Sequence, residues 1–113
     1  MEFEKFTYRG ISHRPKVSIR KSGMFGFNNA LIKKYNLKNY KYVVLYYDKK
    51  RKIIGFKFTN NINEEGKYKI NVRDKSASFS GRSFLDYYEI KFNKVKRYDA
   101  IWVDKNDILT IKL

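Results

Sequence analysis

The chain has 113 residues, 42% of them hydrophobic and 18% aromatic, which suits one domain with a real core and excludes a disordered tail. With no cysteine and one histidine, it excludes a disulfide scaffold, a thiolate metal site, a cysteine nucleophile and a multi-histidine metal cluster within one chain. The 26 Lys and Arg against 11 Asp and Glu give a net charge of +15, which favours polyanionic partners, nucleic acid first.

The start of the chain is predicted to hold an arm followed by two short strands. Residues 1–16 alternate weakly and contain Pro15, the only proline, which favours an arm or an edge strand. Val17–Arg20 alternates apolar and polar residues, as a half-buried strand does. Gly23 interrupts the strand pattern, and the extended pattern resumes at Met24–Phe27.

A short helix and a hairpin are predicted next. Asn28 and Asn29 both suit the N-cap of a helix over residues 29–36, because their side chains can accept from the first free backbone N–H groups. The apolar segments Tyr42–Tyr47 and Ile53–Phe58 flank a charged turn, which predicts a β-hairpin.

The same order of elements is predicted to recur after a polar linker at residues 59–66. The recurring segments are a strand at Lys69–Arg73, an extended segment at Ser76–Ser80, a short helix containing Phe84, Leu85 and Tyr88, and a hairpin formed by Tyr98–Val103 and Ile108–Leu113. We therefore predict two related strand–helix–hairpin units, 17–58 and 67–113, within a single domain of residues 1–113.

One such unit leaves open strand edges, so two units are expected to pack about a pseudo-two-fold axis. The predicted fold is mainly β, a β-barrel with two short helices, in swapped-hairpin or double-psi topology. A plain meander or an open α+β sheet is the alternative. The predicted core consists of the apolar positions that alternation and repeat both select: Val17, Ile19, Phe27, Leu31, Val44, Phe56, Ile70, Val72, Phe84, Leu85, Ile101 and Ile111.

Residues 17–58 resemble the AbrB/SpoVT-like (MraZ-related) swapped-hairpin DNA-binding domain. That family has a strand, a Gly-Arg-hydrophobic-hydrophobic-Ile-Pro segment, a short helix with Leu and basic residues, Leu-Gly-Ile, and an apolar hairpin. The matching positions are Gly23, Phe25, Phe27, Leu31, Lys33 and Tyr35-Asn36-Leu37, whereas Met24, Asn28 and Ile32 depart from the pattern. The resemblance implies two fused, degenerate repeats that do in one chain what a homodimer usually does, as in transcription regulators and antitoxins.

The candidate nucleic-acid-binding residues follow from this resemblance and from the charge distribution. The resemblance points to Arg20, Lys21 and Lys33, with Arg73 and Lys75 as weaker equivalents in the second repeat. Residues 1–60 carry 15 basic and 3 acidic residues and residues 61–113 carry 11 and 8, which favours a basic face on the first half. The predicted set is Arg14, Lys16, Arg20, Lys21, Lys33, Arg73, Lys75 and Arg82.

The predicted function is binding of nucleic acid, duplex DNA in particular, through phosphates, in a regulatory role. The alternatives are a protein-interaction or accessory barrel that binds an acidic partner, and a single-strand or RNA binder that stacks bases on tyrosines. The basic hairpin tip Lys49–Lys52 is a second place where phosphate could bind. We predict no catalytic residues, cofactor or metal, and His13 as an exposed arm residue.

The sequence also gives expectations about location and assembly. No apolar run is long enough to span a membrane, and the first residues lack the apolar stretch of a signal peptide, so a cytoplasmic protein with no membrane partner is expected. The expected assembly is a pseudo-dimer within one chain, which could dimerise further.

Overall fold

The computed structural model describes residues 2–3 and 14–113. Most of the predicted arm, His13 included, therefore lies outside the described residues. Within the described part of the chain there are ten strands, two short helices and one 3₁₀ turn. In chain order they are β1 (Lys16–Ile19), β2 (Met24–Phe27), α1 (Asn29–Lys34), the 3₁₀ turn (Leu37–Asn39), β3 (Tyr42–Asp48), β4 (Ile53–Thr59), β5 (Tyr68–Lys69), β6 (Asn71–Val72), β7 (Ala77–Ser80), α2 (Arg82–Tyr87), β8 (Lys96–Asp99), β9 (Ile101–Val103) and β10 (Ile108–Lys112).

The strands form two antiparallel sheets of five strands each. Sheet A has the order β6-β7-β2-β1-β8, and sheet B has the order β5-β3-β4-β10-β9. The prediction of a mainly β protein with two short helices is confirmed. The hydrogen-bonded ladders are those of two sheets, without a closed barrel among the described residues.

Two segments of the chain, β5–β6 and β8–β9, each form one strand in one sheet and the next strand in the other sheet. A single residue, Ile70, separates β5 from β6, and a single residue, Ala100, separates β8 from β9. The Ile70 N–H donates to the Lys41 carbonyl at 2.9 Å, and the Ala100 N–H donates to the Pro15 carbonyl at 3.1 Å. The segments predicted as single strands at Lys69–Arg73 and Tyr98–Val103 are therefore split where the chain passes from one sheet to the other.

The first helix is shorter than the predicted 29–36. Its C-cap is Tyr35, whose N–H donates to the Leu31 carbonyl at 3.1 Å. Asn36, the last residue of the predicted helix, follows in the left-handed conformation at φ 54°, which asparagine tolerates and which cannot continue a right-handed helix. The helix ends there, and the chain turns into Leu37–Asn39.

Nine of the twelve predicted core residues are buried, and three are not. Val44 and Val72 are half-buried, and the Ile101 side chain is 64% exposed. In β3 it is Val43 that faces the core, and in β9 it is Trp102, whose ring stacks on Tyr35 at 5.1 Å. Because side chains alternate along a strand, an error of one residue in its orientation exchanges the buried and exposed sets.

Four phenylalanines form the centre of the core, between the two sheets. Phe25, Phe27 and Phe79 come from sheet A and Phe56 from sheet B, with ring centroids 4.9 to 6.4 Å apart. Each of these side chains is at most 2% exposed. The inner faces of both sheets therefore share one apolar core.

Asn28 fixes the junction between β1, β2 and α1. Its Oδ1 accepts from the backbone N–H groups of Lys16 and Leu31, both at 3.0 Å, and its Nδ2 donates to the Arg14 carbonyl at 2.8 Å. The predicted N-cap is confirmed, and the same side chain also holds the chain entering β1.

We expect Asn28→Ala to lower the free energy of unfolding by about 2 kcal/mol, because it removes a helix cap and leaves the Lys16 N–H without its partner. Asn28→Asp keeps the acceptor oxygen and should lose less. Urea denaturation of both variants checks this, and a loss below about 0.5 kcal/mol for Asn28→Ala would show that the cap contributes little.

Candidate nucleic-acid interface

The outer face of sheet A carries an open groove of about 970 Å³. Residues of β1, β2, β7, β8, the β6–β7 turn and the first turns of α1 line it. Among the described residues that line it, six side chains are cationic and none is acidic: Lys16, Arg20, Lys33, Arg73, Lys75 and Arg97. These six residues are called the groove cations below.

Small residues form the floor of the groove. The strand register places Ser18 of β1 opposite Gly26 of β2, and Gly26 opposite Ser78 of β7. These three positions point away from the core because their neighbours Val17 and Phe27 point into it. A Cβ atom built on Gly26 would lie 2.6 Å from Ser18 Oγ. Because Gly26 has no side chain, the backbone itself forms the groove floor at this position.

The groove cations reach the floor from three sides. Lys16 and Arg20 belong to β1 and the residue after it, and β8 pairs with β1 so that Arg97 lies opposite Ser18. Arg73 and Lys75 come from the β6–β7 turn and Lys33 from α1. Each half of the chain thus supplies three groove cations, although residues 1–60 hold most of the net charge.

Five of the groove cations make no ion pair with any described residue. The sixth, Lys16, has its Nζ 3.0 Å from Asp99 Oδ1, so its charge is shared. Asp74, which the sequence places between two groove cations, is 89% exposed, and its Oδ1 lies 3.9 Å from Lys38 Nζ. The groove is therefore strongly positive. Burial raises the pKa of the Tyr98 hydroxyl above its ordinary value of 10.0.

The groove brings together five of the eight predicted residues: Lys16, Arg20, Lys33, Arg73 and Lys75. Arg14 adjoins it, since its carbonyl accepts from Asn28 Nδ2. Lys21 lies on the β1–β2 turn, outside the groove lining. Arg82 also lies outside the lining, on α2, where its Nε is 3.6 Å from Asp86 Oδ2 and its guanidinium is 6.0 Å from the Phe92 ring.

Sequence reasoning missed Arg97. Its neighbour Tyr98 packs against the core, so alternation alone would have turned Arg97 outward. That β8 lies beside β1, and not within a hairpin of sheet B alone, could not be inferred from local pattern.

Two other surfaces that the sequence singled out lie apart from the groove lining. The tip Lys49–Lys52 joins β3 to β4 in sheet B, with Arg51 Nη1 3.9 Å from Asp48 Oδ2. Among the described residues, Tyr46 and Tyr87 are the exposed tyrosines, and neither of them lines the groove.

Among residues 2–3 and 14–113, no three His, Asp or Glu side chains gather as metal ligands would. None of the helices in the described chain is long and apolar enough to cross a membrane. No protein-family model matches this sequence, and neither a curated protein nor a solved structure is significantly similar to it.

Proposed function

We propose that this protein binds nucleic acid, duplex DNA in particular, by holding phosphates in the groove on sheet A. The observation that carries the proposal is that, within the part of the chain that the structure describes, six cations and no acidic residue line one groove. Lys and Arg are the main phosphate partners in protein–DNA complexes, and a cationic groove concentrates a polyanion near it.

The chemistry of the lining favours phosphate contacts over base stacking. Phe27 is the only aromatic residue among the described lining residues, and it is 2% exposed, so these residues offer unpaired bases no ring to stack on. Two strand spacings separate β1 from β7, which makes the floor about 10 Å wide. That width suits one sugar–phosphate strand of a duplex that lies across the sheet.

The same lining favours nucleic acid over an acidic protein partner. Protein interfaces draw most of their binding energy from buried aromatic and apolar anchors at their centre. Here the centre of the groove is formed by Ser18, Gly26 and Ser78. None of the described lining residues is a carboxylate or a histidine, the groups that general acid–base catalysis uses most, and the proposal is therefore binding without catalysis.

We further propose that the two sheets form one swapped-hairpin barrel built from a duplicated unit, as the resemblance of residues 17–58 implies. The four non-glycine residues with positive φ among those described support it, because they occupy matching positions. Asn36 and Glu89 each follow the C-cap of a helix, and Lys52 and Asp107 each end a four-residue hairpin loop.

Contacts between the halves support the same proposal. Tyr35, the C-cap of α1, stacks on Trp102 in the hairpin of the second half, with centroids 5.1 Å apart. Tyr88, the C-cap of α2, packs on Tyr47 in the hairpin of the first half at 4.9 Å. Each helix thus contacts the other half's hairpin, as exchange of hairpins between two units would produce.

Filling the floor of the groove tests the proposed function without a change in charge. Ser78→Leu adds bulk between the groove cations and is expected to weaken binding to a random-sequence duplex by about tenfold or more, because phosphates can no longer approach several cations at once. Ser80→Leu is the matched control, since Ser80 lies two residues along β7 on the same face and outside the groove lining.

Fluorescence anisotropy with a labelled duplex measures both affinities, and circular dichroism checks that both variants keep the wild-type fold. Equal affinities of the two variants would mean that nucleic acid does not occupy the groove.

A further inference from the structure

We infer that the groove holds nucleic acid from one side of the β2–β7 pair only, so that protein and duplex share no two-fold axis. This inference rests on the proposed function and specifies how the duplex is held. It comes from a comparison of two corners of sheet A that the two halves of the chain build in the same way.

The two corners lie at opposite ends of the central strand pair. Phe27 pairs with Ala77 at one end, where α1 begins beside the β6–β7 turn. Met24 pairs with Ser80 at the other end, where α2 begins beside the β1–β2 turn. We call these the α1 corner and the α2 corner.

The α1 corner is open and cationic. Asn28, Asn29 and Lys33 from α1 and its cap line the groove together with Arg73 and Lys75 from the turn. Neither Lys33 nor Lys75 is ion-paired with a described residue, so both charges are free to face a phosphate.

The α2 corner is filled, and it carries a carboxylate. A Cβ atom built on Gly23 of the β1–β2 turn would lie 2.7 Å from Arg82 Cβ, which leaves no space between turn and helix. The Gly81 N–H donates to the Gly23 carbonyl at 3.1 Å and fixes this contact. Asp86 stands five residues after its N-cap, as Lys33 does in α1, and its Oδ2 lies 3.6 Å from Arg82 Nε.

A phosphate can therefore be held at the α1 corner, whereas at the α2 corner it would meet Asp86 and an arginine that is already paired. A symmetric dimer grips both halves of a palindrome alike, because its half-sites are related by the same two-fold axis. A chain with one open corner makes those contacts once. It therefore holds the duplex without a two-fold axis shared by protein and DNA.

Two double variants, each of which removes two positive charges, test this inference. Lys33→Ala with Lys75→Ala removes two cations from the α1 corner, and Lys21→Ala with Arg82→Ala removes two cations from the α2 corner. All four side chains are exposed, so both variants are expected to fold, which thermal melting verifies. With a random-sequence duplex in about 50 mM salt, the first is expected to lose roughly 100-fold in affinity and about two units of salt slope, and the second less than about threefold.

Equal losses in the two variants would overturn the one-sided groove while leaving nucleic-acid binding itself intact. Wild-type protein that shows no salt-dependent binding would instead remove the proposed function.

Discussion

The triple variant Arg20→Ala, Arg73→Ala, Arg97→Ala is expected to bind duplex DNA roughly a thousandfold more weakly than wild type in about 50 mM salt. For each phosphate contact that is lost, binding releases about one counterion fewer, so the slope of log affinity against log salt should become shallower by about three. The loss should be similar for unrelated duplex sequences, because contacts to phosphates carry no base information. Fluorescence anisotropy titrations at several salt concentrations measure both quantities.

The matched control also removes three positive charges, but from the hairpin tip. Lys49→Ala, Lys50→Ala and Arg51→Ala lie on the β3–β4 loop of sheet B and line no part of the groove. This variant is expected to lose less than about threefold, through the lower net charge alone. A larger loss from the tip than from the groove arginines would place the phosphate contacts on the tip.

Phe56→Ala is expected to lower the free energy of unfolding by about 3–5 kcal/mol. The Phe56 side chain is 0% exposed, and its ring centroid lies 5.7 Å from those of both Phe25 and Phe27. Removing it leaves a cavity at the point where the sheets meet, and rings fixed on two sheets cannot collapse to fill it. The loss is a large share of the stability of a domain of this size.

Urea denaturation measures the loss, with Ile101→Ala as the control. The sequence predicts burial for both residues, but the Ile101 side chain is 64% exposed and should lose less than about 1 kcal/mol when truncated. Comparable losses from the two variants would mean that the division between core and surface is wrong.

Local physical rules accounted for most of the elements. Asn28 could be read as a cap because its side chain acts on the backbone three residues away, and strands such as Tyr42–Asp48 stand out by composition. Ile101 was placed on the wrong face of β9, although the alternation runs unbroken from β8: Tyr98, Ala100 and Trp102 all pack against the core, and Ile101 is exposed. The passage of the chain from sheet A to sheet B at Ala100 could not be predicted, because it is set by long-range pairing.

The candidate site was predictable where one segment supplies several residues. Lys16 and Arg20 lie in or next to β1, and their shared surface follows from alternation. The contribution of Arg97 depends on which strand pairs with β1, a tertiary fact. The position of Arg82 depends on how closely α2 approaches Gly23. That contact closes the α2 corner, where the charge of Arg82 had suggested phosphate binding. Charge could be counted from the sequence, whereas the gathering of these cations in one groove required the fold.

The most direct test is a salt titration of wild-type protein with a random-sequence duplex, measured by anisotropy from about 50 to 200 mM salt. Six phosphate contacts predict a linear fall of log affinity against log salt with a slope of about −5. If Lys16 keeps its ion pair with Asp99, the slope becomes about −4 or −5, which still marks a multi-phosphate contact. Absence of binding in about 50 mM salt, or a slope near zero, would contradict the proposal that this groove binds nucleic acid.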